Sequence, residues 1–463
     1  MTVWERASHR FEPSLSAWLL VALLSIAAGA LIALRPEDWI IVVAPFVGGA
    51  LLLSPVARLA FVVLVGIVVL GPPEFTTAKA LYFGGVMVCA VASSQNVLHG
   101  WGRLPREVRR LLTCSLIGLV LLAVVATYRV LSGVDAISVL RDFAPYVLFA
   151  IAPLVAVDAG STQSLPLLRM LAALGLALGS LGYLASWAAR RGILADVGPI
   201  TAFGAFSMPV ALLVLAGVSL IATGSGKRGL WALLAGFALG TMILTGTRSF
   251  LLVAPAVLAA VAWSTPSGAA RVRRLIGAIA VVATATVLVI SVGVAVGGLD
   301  FATVAGRWSL VTSAIADPAA DQSIAMRIAQ TDVAVRLFAA NPLFGVATGL
   351  GTAYTAAGNS YTSDTPVALL ADFGLVGVGA VLAVLTGWLS IARPKPIVEQ
   401  NAWPRSAVIG MVLAALSLAL IGPVVQDKGL GFSFLVLGAP LIRTRIDVSE
   451  SSHDQVLIGQ LAA

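Results

Sequence analysis

PVALLADFGLVGVGAVLAVLTGWLSI, residues 366–391, holds a single charged side chain, Asp372, in a run long enough to cross a bilayer as a helix. Helix is the form such a run takes in hydrocarbon, because each backbone N–H and C=O must be paired within the segment itself. Comparable runs occupy residues 16–34, 38–54, 57–71, 77–95, 110–131, 142–159, 166–188, 198–222, 228–245, 247–264, 273–297, 406–424 and 428–443. Several are short, which sets the expectation at roughly 12–14 spans. The composition agrees: 59% of residues are hydrophobic and 11% charged, and the mean hydropathy is +1.01, beyond what a soluble globular surface carries. The expected fold is an all-α polytopic membrane bundle, one membrane domain over residues 1–463. The first run follows Arg6 and Arg10 but has no small-residue cleavage site after it, so it reads as a retained span.

Lys and Arg in short loops stay on the cytoplasmic side. With the runs counted as above, Arg6 and Arg10, Arg103 to Arg110, Lys227 and Arg228, Arg271 to Arg274, Arg393 to Arg405, and Arg443 and Arg445 share one side. That side is expected to be the cytoplasm, with both termini there and residues 446–463 as a short polar tail. The net charge of +8 then reflects topology and an anionic inner leaflet, and nucleic acid is not an expected partner. HGWGRLPREVRR at 99–110 reads as an interfacial basic collar. The span cores read as free of Asp and Glu, which counts against an ion-driven transporter.

One long segment, 298–365, cannot be membrane and falls on the extracytoplasmic side, as do Arg35, Arg129, Arg141, Arg190, Arg191 and Arg248. Arg35 and Arg129 read as interfacial anchors whose head groups reach water. Together, arginines on the disfavoured side form a basin for an anionic head group, since the guanidinium fork matches phosphate oxygens. All but four of the 29 basic residues are Arg. Inside the loop, IAMRIAQTDVAVRLFAA at 324–340 has helical apolar spacing and stops at Asn341-Pro342, predicting an amphipathic helix on the membrane surface. Asp332 and Arg336 are four apart, so an ion pair is expected there. Arg327 is five residues from Asp332, rotated about 140° from it, and is the arginine left for phosphate.

After that helix come NPLFGV at 341–346, Gly351 and, beyond a polar turn, GLVG at 374–377; upstream stands TGTRSFLL at 245–252. With Arg327, this ordered set resembles the O-antigen ligase and polymerase superfamily over residues 240–392. The resemblance implies a bacterial inner-membrane glycosyltransferase working on the extracytoplasmic face. Its donor would be a polyprenyl-pyrophosphate-linked glycan, its acceptor a glycan or lipid, and its partners a polysaccharide assembly system. Arg248 and Arg327, with Arg190 and Arg191, are the candidates to hold the pyrophosphate and stabilise its charge as it departs. No metal or other cofactor is expected, since no His, Cys or carboxylate cluster has ligand spacing. Cys89 and Cys114 lie near the cytoplasmic ends of early spans, where neither a disulfide nor a nucleophile is expected.

The sequence departs from that family at one point. Ligases of the superfamily carry a His eleven residues before the first Gly of the closing motif, and here that position is Ser363. The three histidines, His9, His99 and His453, are all assigned to the cytoplasmic side, so a base on the acceptor hydroxyl has to be a carboxylate. Asp364 is the first candidate and Asp372 the second; Asp364 in SDTP equally suits a helix cap. The missing His favours polymerisation over ligation. Two alternatives stay open, a transporter or flippase for lipid-linked glycans and a metal-dependent transferase using Glu37 and Asp38 in RPEDW.

Overall fold

The computed structural model describes residues 47–69, 77–190, 207–222, 227–245, 253, 276–277, 279–288, 290–291, 309, 322–346, 367–393, 403–419 and 427–462. The span expected at 16–34, and that at 247–264 apart from Val253, lie outside the described residues, as do Glu37 and Asp38. Among the described residues all regular structure is helical, with no strand. The helices are α1 (Val47–Leu53), α2 (Pro55–Ala60, continuing through a π turn at Phe61–Val65 and Gly66–Val69), α3 (Thr77–Gly100), α4 (Arg106–Leu131), α5 (Ala136–Thr162) and α6 (Leu165–Arg190). They continue with α7 (Ser207–Ala222), α8 (Arg228–Thr245), α9 (Ile279–Leu288), α10 (Gln322–Ala340), α11 (Ala368–Ala392), α12 (Trp403–Ala419) and α13 (Lys428–Ala462).

Seven of these, α3 to α6, α8, α11 and α13, are long and apolar enough to cross a membrane, and the bent pair α1–α2 makes up to eight. The protein is therefore an all-α, multi-pass bundle. Its centre is α5 and α13, whose most apolar stretches are 89% and 94% buried, against 33% for α4. On α4 the residues left outside are apolar too, with Leu116, Ile117, Val120 and Val124 exposed, as suits a helix face turned to lipid.

Between helices in lipid there is little hydrophobic driving force, and close approach over small residues takes its place. Gly118 of α4 lies against Ala380 and Val384, and Gly387 of α11 against Leu111 and Cys114, so these two helices run antiparallel. α5 and α13 run parallel, with Gly431 against Phe149 and Gly160 against Ala439 and Ile442. Both cysteines are free.

Three features differ from expectation. Asp158, which the sequence reading passed over, is wholly buried in the bundle, where its charge is held by Arg58. Arg445, counted as a loop charge, is 2% exposed; its Nε donates to the Ile391 carbonyl at 3.0 Å and its Nη2 to that of Arg393, closing off the C-terminus of α11. The residues after it, expected as a short polar tail, continue α13 as helix to Ala462.

Candidate functional site

The amphipathic segment of the long loop forms α10, whose Val333, Ala334, Leu337 and Phe338 pack on Ala368 and Ala371 of α11. Asp332 and Arg336 are both exposed, and no ion pair joins them among the described residues. An exposed pair of this kind is worth only about 0.3–0.5 kcal/mol, too little to hold two long side chains together. α10 ends at Ala340, and the next turn carries NPLFGV directly onto α11.

α11 is broken where they meet. Gly374 has φ +63° and ψ −168°, outside the helical region. In an unbroken helix the N–H groups of Leu375 and Val376 would bond to the carbonyls of Ala371 and Asp372. Here all four groups find other partners. Leu375 donates to the Pro342 carbonyl at 2.9 Å and Val376 to that of Leu343 at 3.1 Å, while the Ala371 carbonyl accepts from Val346 at 2.9 Å. The Asp372 carbonyl accepts from Nη2 of Arg129. A buried backbone break is sustained only with this kind of full pairing. Gly345, at φ +72°, supplies the complementary turn, and a Cβ on either glycine would strike the other segment's backbone.

Arg129, from the last turn of α4, locks the junction. Expected as an anchor reaching into water, it is instead 1% exposed. Its Nη2 lies 2.5 Å from Asp372 Oδ1, and its Nη1 lies 3.7 Å from Oδ2 of Asp142, a side chain 31% exposed. The guanidinium sits 4.7 Å from the Phe373 ring centre and 5.2 Å from that of Phe143. Stacking of Tyr128 on Phe344 at 4.8 Å joins α4 to the NPLFGV turn as well. With one arm on Asp372 and the other facing Asp142, the Arg129 guanidinium is committed within the protein rather than offered to a phosphate. Asp372 is held as a counter-ion at 4% exposure, whereas the Asp142 side chain is 31% exposed. Sequence reading missed Asp142 because it stands at the edge of a span, where an acid near a helix N-terminus is ordinary.

A second charge cluster lies at the other end of α5. Asp158 follows Asp142 by 16 residues, which is about 24 Å of helix. α1 and α2 meet at 119° around Ser54, whose hydroxyl accepts from the Ala57 N–H at 3.3 Å. Arg58 donates through Nη1 to the last carbonyls of α1, Leu51 at 2.8 Å and Leu52 at 3.0 Å, and through Nε to Asp158 Oδ2 at 2.6 Å. Ser93 and Asn96 donate to the same carboxylate at 2.9 Å and 3.0 Å.

Of the residues singled out in the sequence, Asp372 is placed at the α11 break. Arg190 ends α6 and Arg327 lies in α10, but their side chains fall outside the described residues. Arg191, Arg248, Ser363 and Asp364 also lie outside them. Among the described residues no three His, Cys, Asp or Glu side chains group so as to hold a metal. No family model matches the chain, and no curated protein matches it.

Proposed function

We propose that this chain is a metal-independent glycosyltransferase of the bacterial inner membrane, using polyprenyl-pyrophosphate-linked oligosaccharide on the extracytoplasmic face, with polymerisation favoured over ligation. The observation that carries the reading is the interlock of NPLFGV with GLVG. Two short motifs that resemble the O-antigen ligase and polymerase superfamily form one built structure, fastened to α4 through Arg129, at one end of a polytopic bundle.

In the proposed reaction an acceptor hydroxyl attacks the anomeric carbon, the bond from that carbon to the pyrophosphate oxygen breaks, and the pyrophosphate leaves with the electron pair. Arg248 and Arg327, with Arg190 and Arg191 as further candidates, neutralise the charge that develops on it. The hydroxyl proton goes to a carboxylate, assigned to Asp364, because Asp372 is engaged by Arg129. With Ser363 in place of a ligase histidine, the acceptor is read as a second lipid-linked glycan.

A deletion strain tests the reading. Loss of long surface polysaccharide with single repeat units retained supports polymerisation, and accumulation of undecorated acceptor supports ligation. Restoration by wild type but not by Arg248→Ala or Arg327→Ala, at equal membrane abundance, supports the arginine assignment. Full restoration by both variants refutes it.

One observation favours a second reading, a transporter or flippase for lipid-linked glycans. The wholly buried Arg58–Asp158 pair stands beside a broken helix, and intramembrane acids at helix breaks mark transport pathways. Loss of surface polysaccharide, single repeat units included, with lipid-linked units trapped on the cytoplasmic side in the deletion strain, would favour it.

A further inference from the structure

Arg169, one turn into α6, lies with its guanidinium carbon 4.6 Å from the Trp231 ring centre and 4.7 Å from that of Trp403. These aromatics belong to the first turns of α8 and α12, so three helix starts converge on one cation, within about 6 Å of the helix ends. The site adjoins the end of α5 that carries Asp158 and is separate from the Arg129 junction. Both indoles are buried, Trp231 at 5% and Trp403 at 3% exposure, and Arg169 is half-buried.

The arrangement is rich in donors and short of acceptors. Nε and Nη2 of Arg169 and Nε1 of Trp231 are buried without a hydrogen-bond partner among the described residues. Leaving one such donor unmade costs about 1–3 kcal/mol, and three in one cluster call for an oxygen anion. Three converging helix N-termini favour the same sign of ligand, as do Lys227 and Arg228, exposed at the start of α8. What identifies the source of the anion is the surface beside it. Met170, Leu174, Leu178 and Leu181 lie along one exposed face of α6, beginning next to Arg169, at 59%, 48%, 41% and 52% exposure. A head group at Arg169 thus has an apolar track for its acyl chains.

We infer that the Trp231–Arg169–Trp403 cluster binds the phosphodiester of an anionic phospholipid, with Arg169 and the Trp231 indole as donors and the apolar face of α6 under the chains. Basic pockets between spanning helices suit such head groups, and indoles suit the depth at which they lie. The site is independent of the glycan reading.

Purified protein in mild detergent is titrated with phosphatidylglycerol, phosphatidylcholine or inorganic phosphate, with retained lipid read by native mass spectrometry and stability by the thermal midpoint. Phosphatidylglycerol should be retained and should raise the midpoint, while the other two do neither. Arg169→Gln should weaken phosphatidylglycerol binding about tenfold, the scale of one charge-assisted hydrogen bond. Trp231→Phe, which keeps an aromatic ring and removes the N–H, should weaken it by a smaller factor, and it carries the comparison if Arg169→Gln does not fold. Equal retention by wild type and Trp231→Phe together with Arg169→Gln, or equal retention of phosphatidylcholine, overturns the site. Stabilisation by inorganic phosphate alone overturns its assignment to lipid.

Discussion

Gly374→Ala probes the junction on which the functional reading rests. A residue with a Cβ at φ +63°, ψ −168° is held in a region essentially reserved for glycine, at about 1–3 kcal/mol. The added methyl would also press on the Leu343 carbonyl and the Gly345 amide. Relieving that contact draws the NPLFGV turn away from Leu375 and Val376, and each of those two hydrogen bonds contributes about 0.5–1.5 kcal/mol. The expected loss is therefore roughly 2–6 kcal/mol. Gly379→Ala is the matched control, since a methyl there meets only Leu121 Cδ1 at 3.8 Å and gains up to about 1 kcal/mol of helix propensity. Thermal unfolding of both variants in one detergent, followed by tryptophan fluorescence, should place Gly374→Ala well below wild type and Gly379→Ala at or above it. A Gly374→Ala midpoint equal to that of Gly379→Ala would refute the interlock, because α11 could then run straight through without loss.

Arg58 and Arg129, both buried, should respond in their own ways. Asp158→Asn leaves Arg58 as an uncompensated buried charge and should cost about 3–5 kcal/mol, most of it recovered in Arg58→Met/Asp158→Asn; an equally unstable double variant would count against the pairing. Arg129→Lys keeps the charge but loses the planar group over Phe143 and Phe373 and one arm of its hold on Asp372, so it should lower the thermal midpoint despite its conservative chemistry. In the glycan assay Asp364→Asn should lose activity if the carboxylate takes the proton, and activity equal to wild type would reduce it to a helix cap.

The bundle was legible because apolar runs of spanning length say helix regardless of partner. The end of α10 was legible too, since Asn341-Pro342 stops a helix locally. What escaped was non-local. The run 366–391 reads as one good span, and nothing within it announces a break at Gly374, because the groups that make the break tolerable come from Pro342, Leu343, Val346 and Arg129. Arg129 read as an anchor because the carboxylate that holds it most closely, Asp372, is 243 residues away. Asp158 was passed over for the same reason, its partner Arg58 lying a hundred residues before it. The Asp332–Arg336 pair shows the opposite error: sequence spacing permits a contact that carries too little energy to form.

The separation of Arg129 from Asp372 also has a meaning in time. A ribosome adds roughly 5–20 residues per second, so the 243 residues between them take about 10–50 s to make. Throughout that interval α4 is complete and its guanidinium has no Asp372 to meet. The early helices therefore cannot reach their final packing as they emerge, and must wait at the insertion machinery, or with water beside them, until α11 arrives. Nascent chains released before Asp372 is synthesised should be recognised and degraded, whereas those released just after α11 should begin to resist proteolysis.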